Sequence, residues 1–397
     1  MRVAHVIPTL ALRTGGPPVA VVESCRALNA IGAETAIFTT DLREAASAAS
    51  HDRSSPHHWP EGAEALEVRL FEARRPYRLA FSPALSRALA RDARAFDVVH
   101  IHSLFLYPQF AAYRAAARAG VPYVVAPRGA LDPHLARRGR IVKRLAAVAW
   151  QRRMLEGAAA LHLTSEQERA HVASLAPAVP RIVIPNGVRT DRFGATGSGA
   201  EARRLYALRD APVVAFVGRL SHKKGLGVLL QAFAIVTESS PDARLLIAGP
   251  DDEGMTPLLR TAARDAGIAE RVTFAGMLPQ ARVREVLAAA DVWALPSSGE
   301  NFGNAFAEAL AAGCACVVSP DVALATEAGR AGAALIAPRE PASFASAIAA
   351  LLADGARRNA LGTRARDFVR RYDWQRVAPE LARMYESVLR QEVRLAA

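Results

Sequence analysis

The sequence predicts an α/β protein of two domains, each with a parallel β-sheet covered by helices. Its 397 residues are too many for one ordinary hydrophobic core. Short apolar runs typical of buried strands alternate with Ala-, Leu- and Arg-rich helical stretches from end to end, which is the pattern of parallel sheets. The turn-rich stretch 186–200 interrupts this alternation, and we expect it to link the domains.

The apolar runs predict seven strands in the first half of the chain and five in the second. The first set is 2–8, 34–39, 65–71, 97–102, 123–126, 160–164 and 181–184, and the second is 213–217, 244–248, 272–275, 291–295 and 315–319. Residues 43–64 lack periodic apolar spacing and predict a loop. A last helix from Trp374 carries apolar residues on one face and is expected to pack back on the first domain.

These elements predict a first domain of residues 1–193, completed by the helix at 374–397, and a second domain of residues 194–373. Parallel sheets bind ligands at the carboxyl ends of their strands. Two such sheets facing each other form a cleft, and the polar motifs all fall at these strand ends.

Composition indicates a soluble protein of the cytoplasm. Apolar residues make up 51% and charged residues 22%, and we find no run of 18 apolar residues that would span a membrane. The N-terminal apolar run is a strand and is too short for a signal peptide. The three cysteines, Cys25, Cys314 and Cys316, predict buried free thiols and no disulfide framework.

The positive charge is concentrated in the first half. Residues 1–190 carry 25 Arg and Lys against 15 Asp and Glu, within a net charge of +12. The stretch 137–153 mixes cations with apolar residues at helical spacing, which fits equally a helix resting on an anionic membrane and an ordinary surface helix. A pI of about 10.4 raises a non-catalytic nucleic-acid binder as an alternative, but the sequence lacks an RNA-binding signature.

The most informative motif is the segment 299–308, which holds two glutamates. Glu300 falls in the loop after a predicted strand, and Glu308 falls about one turn into the following helix. The free N–H groups at the start of that helix favour an anion such as phosphate. Carboxylates accept hydrogen bonds from hydroxyl groups, so the motif fits a sugar nucleotide. The alternative is a capped helix with a solvent-exposed glutamate.

A cationic loop, 218–225, follows the predicted strand 213–217. Two of the three lysines of the chain, Lys223 and Lys224, lie in it with Arg219. An arginine fork and an ammonium group five residues apart can bind a diphosphate from two directions. We assign Arg219 and Lys224 to this role and leave Lys223 as a solvated residue.

The first half offers weaker signals at three strand ends. Gly15 and Gly16 link the first strand to a helix and permit close backbone approach to a ligand. His102 ends a strand and could bond a sugar hydroxyl or help remove an acceptor proton, although a lone histidine is more often structural. Arg128 follows the next strand and is expected to meet a donor or acceptor phosphate.

We expect a site without a metal ion. Zinc-ligand spacing is absent, and there is no Asp-x-Asp motif to hold a divalent ion against a diphosphate. The adjacent acids 251–253 fit a solvated turn.

Together these motifs resemble the retaining GT-B glycosyltransferases, in particular glycosyltransferase family 4 and its enzymes of bacterial surface-polysaccharide synthesis. The resemblance covers nearly the whole chain and rests on Gly218-Arg219-Leu220 with Lys224, on the two glutamates, on His100-x-His102, and on Gly15-Gly16. It implies two Rossmann-like domains facing across a cleft, with a terminal helix that crosses back to the first.

The resemblance also implies roles for single residues. Arg219 and Lys224 would bind the donor diphosphate, Glu308 the ribose and Glu300 the donor sugar. The remaining contacts would come from the backbone of Phe302, Gly303 and Asn304 to sugar and phosphate, from Gly16 to the diphosphate, and from His102 beside the sugar. Asn301 and Asn304 replace the family's commoner residues, which leaves the donor sugar open.

The implied reaction is transfer of a sugar from a nucleoside diphosphate, UDP favoured over GDP, to an acceptor hydroxyl with anomeric retention. The implied acceptor is a saccharide or a lipid-linked saccharide at the inner face of the cytoplasmic membrane, and no cofactor or nucleic acid takes part. A nucleotide-sugar epimerase or a sugar phosphorylase of the same fold is the alternative.

Overall fold

The computed structural model describes residues 1–42, 59–131, 150–173, 175–194 and 199–396, and the chain divides into two compact units. Unit 1 is Met1–Gly187 with Trp374–Ala397, and unit 2 is Val188–Asp373. The division falls before the expected boundary at 193/194 because Val188 and Phe193 are buried in the core of unit 2.

Unit 1 contains a seven-stranded parallel sheet in the order β3-β2-β1-β4-β5-β6-β7. Its strands are β1 Arg2–Val6, β2 Glu34–Thr40, β3 Glu67–Phe71, β4 Val98–His102, β5 Tyr123–Ala126, β6 Ala160–Leu163 and β7 Arg181–Val183. The helices between them are α1 Gly16–Ala30, α2 Pro83–Asp92, α3 Tyr107–Ala119, α4 Arg152–Glu156 and α5 Glu166–Val172.

Unit 2 contains a six-stranded parallel sheet in the order β10-β9-β8-β11-β12-β13. Its strands are β8 Val213–Val217, β9 Arg244–Ala248, β10 Val272–Gly276, β11 Val292–Leu295, β12 Ala315–Val318 and β13 Leu335–Ile336. Its helices are α6 Thr190–Gly194, α7 Ala200–Leu205, α8 Leu226–Ser239, α9 Met255–Asp265, α10 Gln280–Ala289, α11 Asn304–Ala312, α12 Ala325–Arg330, α13 Pro341–Ala353 and α14 Gly355–Val369.

The last helix, α15 Trp374–Ala396, belongs to unit 1. Its apolar face, including Val377, Leu381 and Tyr385, packs on one face of the first sheet together with Leu28 of α1. Helices α2 and α3 cover the opposite face of that sheet. The terminal helix therefore completes the core of unit 1, as expected.

Each sheet reverses its strand order once, and the reversal locates the candidate site. The order changes direction between β1 and β4 in unit 1 and between β8 and β11 in unit 2. Doubly wound sheets bind ligands beyond the carboxyl ends of the two strands at such a point. The motif residues Gly15, Gly16, His102, Arg219, Lys224 and Glu300 all end or follow one of these four strands.

The predicted fold class is confirmed, since both sheets are parallel and doubly wound. All twelve predicted strands are present, and the thirteenth, β13, was missed because two residues carry no periodic signal. Most of the predicted loop 43–64 and residues 137–149 of the predicted basic helix lie outside the described residues. No helix within the described ranges has the length and apolar composition needed to cross a bilayer.

Candidate active site

The loops after β8 and β11 are joined at the carboxyl edge of the second sheet. The carbonyl oxygen of Lys223 accepts a hydrogen bond from Ser298 N at 2.8 Å and lies 3.0 Å from the Ser297 hydroxyl oxygen. Gly225 has φ +68°, and a methyl group there would overlap the carbonyl oxygen of Pro296. Glycine is required because the two backbones approach so closely.

Lys224 and Glu300 form an ion pair between these two loops. Lys224 Nζ lies 2.7 Å from Glu300 Oε1, and each side chain is only 14% exposed. The hydroxyl of Ser297 donates to the same carboxylate oxygen at 2.8 Å. Burial raises the pKa of Glu300, but the Lys224 ammonium, the nearby Lys223 and the Ser297 hydrogen bond together lower it below the ordinary value. Glu300 is therefore ionised at neutral pH.

The backbone of Glu300 is fixed as firmly as its carboxylate. Its N–H donates to Asp321 O, and its carbonyl oxygen accepts from Ala323 N, both at 3.1 Å. These bonds attach the loop after β11 to the segment after β12. The position of the carboxylate is thus set by backbone bonds as well as by its ion pair.

The first turn of α11 supplies backbone N–H groups beside this pair. Gly303 caps the helix with φ +91° and has no side chain to occupy the N–H groups that follow it. Phe302 is 2% exposed and packs edge-on against Tyr372, so its ring belongs to the core of unit 2. Asn301, Asn304 and Glu308 are partly buried along the same loop and turn.

Arg219 is more open than Lys224. Its side chain is 41% exposed, and its guanidinium lies 3.9 Å from Asp252, a distance at which an exposed pair contributes little. The acids 251–253 were expected to form a solvated turn; Asp251 and Asp252 are indeed exposed, and the turn has defined contacts as well. Asp251 accepts from Met255 N at 2.7 Å at the start of α9, and Glu253 accepts from His222 N at 3.0 Å.

In unit 1, the N-terminus of α1 offers fewer N–H groups than we expected. Gly15 has φ +96°, and α1 begins at Gly16. Pro17 and Pro18 follow directly and carry no N–H, so Gly16 and Val19 are the donors among the first four residues. The close backbone approach that we predicted from the glycine pair is unaffected.

His102 lies on the sheet and away from solvent. It is 0% exposed, its Nε2 lies 2.9 Å from His5 Nδ1, and its Nδ1 lies 3.4 Å from Arg128 Nε. Burial, the Arg128 charge and the neighbouring histidines all lower its pKa well below the ordinary value. His102 is therefore neutral, with both ring nitrogens engaged inside the protein.

Arg128 is partly buried at the carboxyl end of β5. Its backbone has φ +53°, which is unfavourable for a residue with a side chain. Its guanidinium donates to the Asn186 carboxamide oxygen and approaches His102 Nδ1. The carboxylate of the buried Glu168 accepts from Gly129 N at 2.7 Å and so fixes the next residue. The contacts with Asn186 and His102 hold the guanidinium in one place.

Three buried imidazoles come close enough to hold a metal ion within the described residues. The candidate ligand atoms of His5, His100 and His102 lie within 4.8 Å of one another. His100 Nδ1 already bonds the Tyr385 hydroxyl at 2.7 Å, and the Arg128 cation adjoins His102. A second cation at this place would face electrostatic repulsion, so we derive no metal chemistry from it.

The structure thus brings some predicted residues together and leaves others in separate groups. Lys224 and Glu300 are in direct contact, Arg219 lies in the same loop as Lys224, and His102 contacts Arg128. Sequence reasoning missed Ser297, His5 and Asn186, each of which bonds a predicted residue. Ser297 could have been found from its place in the loop, but His5 and Asn186 meet their partners only through the fold.

Two family models match the chain, one in each unit. Residues 15–187 match the model described as "Glycosyl transferase 4-like domain", and residues 211–354 match "Glycosyl transferases group 1". A D-inositol 3-phosphate glycosyltransferase of Xylanimonas cellulosilytica is 31% identical over 94% of this chain and 91% of its own length. The chain belongs to the group 1 glycosyltransferases.

Other relatives and solved structures agree with this membership. A phosphatidyl-myo-inositol mannosyltransferase of Mycobacterium leprae is 29% identical over 98% of this glycosyltransferase and 97% of its own length. Anabaena Alr3699/HepE in complex with UDP and glucose superposes with a TM-score of 0.77 at 17% identity, covering 98% of this chain and 100% of that one. WaaG, a glycosyltransferase of lipopolysaccharide biosynthesis, gives 0.73 at 17% identity, with 96% and 99% covered.

The membership decides two points. The fold is that of the GT-B glycosyltransferases, with two Rossmann-like domains. The protein is an enzyme of the glycosyltransferase class, so the interpretation as a non-catalytic nucleic-acid binder is abandoned.

Proposed function

We propose that this glycosyltransferase moves a sugar from a nucleoside diphosphate, UDP in preference to GDP, to an acceptor hydroxyl with retention at the anomeric carbon. The observation that carries the proposal is the Lys224–Glu300 pair beside the N-terminus of α11. A cation, an ionised acid and backbone N–H groups at one sheet edge match the phosphate and hydroxyl groups of a sugar nucleotide.

The donor diphosphate is assigned to the cationic loop after β8. Arg219 is open enough to meet a phosphate, and its 3.9 Å contact with Asp252 is weak enough to exchange for one. Lys224 would share its ammonium between Glu300 and the diphosphate. The N–H groups of the first turn of α11 add uncharged donors, as helix N-termini commonly do for phosphates.

The sugar and ribose rings are assigned to the loop after β11. Glu300 is ionised and accepts hydrogen bonds from the donor sugar, and Glu308 accepts from the ribose hydroxyls. The backbone of Phe302, Gly303 and Asn304 lies between them and contacts sugar and phosphate. Asn301 is assigned to the donor as well, and its carboxamide adds a polar group at the sugar.

Retention is assigned to front-face attack without a covalent intermediate. Cleavage of the anomeric bond puts negative charge on the diphosphate, which Arg219, Lys224 and the α11 N–H groups stabilise. Glu300 is a weak nucleophile because its carboxylate is ion-paired and its pKa is lowered. The leaving phosphate oxygen then takes the proton from the acceptor hydroxyl, so no second carboxylate is required.

The remaining substrate contacts are assigned to residues of unit 1. Arg128 binds an anionic group, and Gly15 and Gly16 allow the backbone at the start of α1 to approach the diphosphate. His102 was expected to act on a hydroxyl, but its nitrogens are bonded to His5 and Arg128. We therefore assign it to orienting Arg128.

The proposed acceptor is a lipid-linked saccharide in surface-polysaccharide synthesis at the cytoplasmic face of the membrane. The cationic stretch 137–153 supports contact with anionic lipid. A second candidate, an acceptor that contains an inositol phosphate group, is favoured by the names of two relatives that match over nearly the whole chain. The phosphate of this second acceptor suits the Arg128 guanidinium.

The donor is identified by a thermal-shift panel of UDP-, GDP- and ADP-sugars. The donor that binds the folded protein raises its melting temperature, since ligand binding stabilises the native state. We expect UDP-glucose or another UDP-sugar to give the largest shift, and Lys224→Met to abolish it while Lys223→Met retains it. Equal shifts in the two variants would refute the donor site.

Product analysis with the selected donor decides the reaction. Label transferred to an added acceptor, with UDP released in equal amount and an α-linkage from an α-linked donor, supports retaining transfer. Release of a free epimer without acceptor, or formation of sugar phosphate from added phosphate, would indicate the epimerase or the phosphorylase instead.

A further inference from the structure

Four buried histidines lie on the face of the first sheet that α15 covers. His5 belongs to β1, His100 and His102 to β4, and His162 to β6, and none is more than 2% exposed. Their rings pack within 4.1–5.2 Å between centroids. They are bonded in two pairs, His5 with His102 and His100 with His162.

The pair of His100 and His162 is ordered by a backbone carbonyl group. His162 Nε2 lies 3.0 Å from Ile184 O, which can only accept, so Nε2 carries the proton. Burial lowers the pKa of His162 to about 3, so the ring is neutral and its Nδ1 accepts from His100 Nε2 at 3.3 Å. His100 Nδ1 in turn accepts from the Tyr385 hydroxyl at 2.7 Å. Every ring nitrogen of this pair has a partner.

The pair of His5 and His102 is ordered by the guanidinium of Arg128. Guanidinium nitrogens only donate, so His102 Nδ1, 3.4 Å from Arg128 Nε, carries no proton. The neutral His102 then holds its proton on Nε2 and donates it to His5 Nδ1 at 2.9 Å. His5 must accept at Nδ1 and keep its own proton on Nε2, a buried atom for which the described residues offer no hydrogen-bond partner.

The direction of this second pair has a consequence for Arg128. Without an acceptor at His5 Nδ1, the Nε2–H of His102 would be a buried donor without a partner, which is costly. Moving that proton to Nδ1 would set an N–H against the guanidinium donors. The first outcome only costs stability, whereas the second removes the His102 acceptor from the guanidinium, which then keeps its bond to Asn186.

We propose that His5 is a positioning residue, which accepts the His102 proton at Nδ1 and so holds the Arg128 guanidinium oriented towards an anionic group of the substrate. The inference rests on the proposed function in one respect, namely that Arg128 binds substrate. The two acceptors that hold the guanidinium, Asn186 Oδ1 and His102 Nδ1, are uncharged. The Glu168 carboxylate acts on Arg128 through space, but its own hydrogen bonds go to Gly129 and Thr164, so the guanidinium can still attract an anion.

The proton positions are tested by two-bond ¹H–¹⁵N correlation spectra of the histidine-labelled protein, with the ten histidines assigned through single substitutions. We expect His5, His100, His102 and His162 to be neutral and protonated at Nε2 at pH 7. A proton at Nδ1 of His5 or His102 would overturn the inference. This result is independent of any activity.

The functional role is tested with three variants assayed for UDP release from UDP-glucose, or from the donor that the thermal-shift panel selects. His5→Leu removes the acceptor, and we expect turnover to fall by roughly 10-fold or more, the usual effect of losing a hydrogen bond to a charged group's partner. His5→Asn keeps an acceptor oxygen near the position of Nδ1, and we expect it to stay within about 2-fold of the unaltered enzyme. His162→Leu is the matched control, because that ring is equally buried but bonds Ile184 instead.

A double substitution tests whether His5 affects turnover through Arg128. In an Arg128→Lys background, we expect His5→Leu to cause no further loss of turnover, since coupled residues are not additive. Equal losses in His5→Leu, His5→Asn and His162→Leu would overturn the positioning role, as would full activity of Arg128→Lys. If the unaltered protein released UDP from no donor, the proposed function would fail instead, and the spectra would still decide the His5–His102 geometry.

Discussion

Lys224 Nζ and Glu300 Oε1 lie 2.7 Å apart, although the two residues follow different strands and were assigned to different parts of the substrate. Each neutralises the other in the absence of ligand. A diphosphate that attracts the ammonium must therefore share it with the carboxylate. Donor binding and the ionisation of Glu300 are linked by this contact.

The ion pair between Lys224 and Glu300 is predicted to contribute to stability. Lys224→Met leaves the Glu300 carboxylate mostly buried with its cation removed, and we expect the free energy of unfolding to fall by about 3 kcal/mol. Adding Glu300→Gln removes the uncompensated charge and should restore most of the loss. Urea unfolding of the two variants measures this. A double variant as unstable as the single one would show that the pair contributes through packing rather than charge.

Close backbone approach at Gly225 gives a second prediction. Gly225→Ala places a methyl group at φ +68° against the Pro296 carbonyl oxygen, so the loops after β8 and β11 must separate. We expect a loss of about 2 kcal/mol or more in stability and a weaker response to the donor in thermal-shift assays.

Gly227→Ala is the control for that substitution. Gly227 lies two residues further on in α8, and no atom of the described part of the chain lies within 4 Å of the added carbon. Alanine there is expected to be neutral or to stabilise the helix by up to about 1 kcal/mol. Equal destabilisation by both substitutions would contradict the role of the Pro296 contact.

Arg219→Ala is predicted to reduce turnover without unfolding the protein. The side chain is 41% exposed, so its removal leaves no buried cavity. Loss of one charged contact to the departing diphosphate is expected to lower kcat roughly 100-fold. Steady-state rates with saturating donor measure it, with circular dichroism to verify folding. An unchanged kcat would remove Arg219 from the site.

Acidification is predicted to destabilise unit 1. The pKa values of His5 and His162 are lowered by burial to about 3, and those of His100 and His102 are lowered as well. The unfolded chain binds protons at these residues near pH 6.5, whereas the folded chain does not, so stability is present above pH 6.5 and is lost as the pH falls. Each histidine removes about 1 kcal/mol per pH unit in this window.

The measurement is the slope of unfolding free energy against pH between 6.5 and 4.5. His162→Asn retains a polar side chain but does not titrate, so its slope should be shallower than that of the unaltered protein by about one proton. Equal slopes would show that His162 is already protonated in the folded state.

The sequence predicted the fold because alternation of strands and helices is a local signal. It also placed Arg219, Lys224 and Glu300 at strand ends, where the topology later brings them to one edge. It did not predict that Lys224 and Glu300 touch, because that contact depends on the neighbouring positions of β8 and β11 in the sheet.

Contacts in unit 1 were harder to predict for the same reason. His5 and His102 are 97 residues apart in sequence and meet only because β1 pairs with β4. The pattern His100-x-His102 correctly indicated the strand that carries the histidines. The sequence at a strand end does not show, however, whether such a histidine is exposed. The prolines after Gly16, by contrast, can be read directly from the sequence, and they limit the number of N–H groups that α1 can offer.

The position of α15 constrains how the protein is made. Until the ribosome has added residues 374–396, one face of the first sheet is covered only in part, by α1, and the hydroxyl of Tyr385 cannot reach His100. The core of the C-terminal unit does not need this helix, since all its residues, from Val188 to Asp373, precede α15 in the chain. The amino-terminal half of this enzyme, although synthesised first, must therefore be the last to mature, and nascent chains stalled before Trp374 should depend on chaperones.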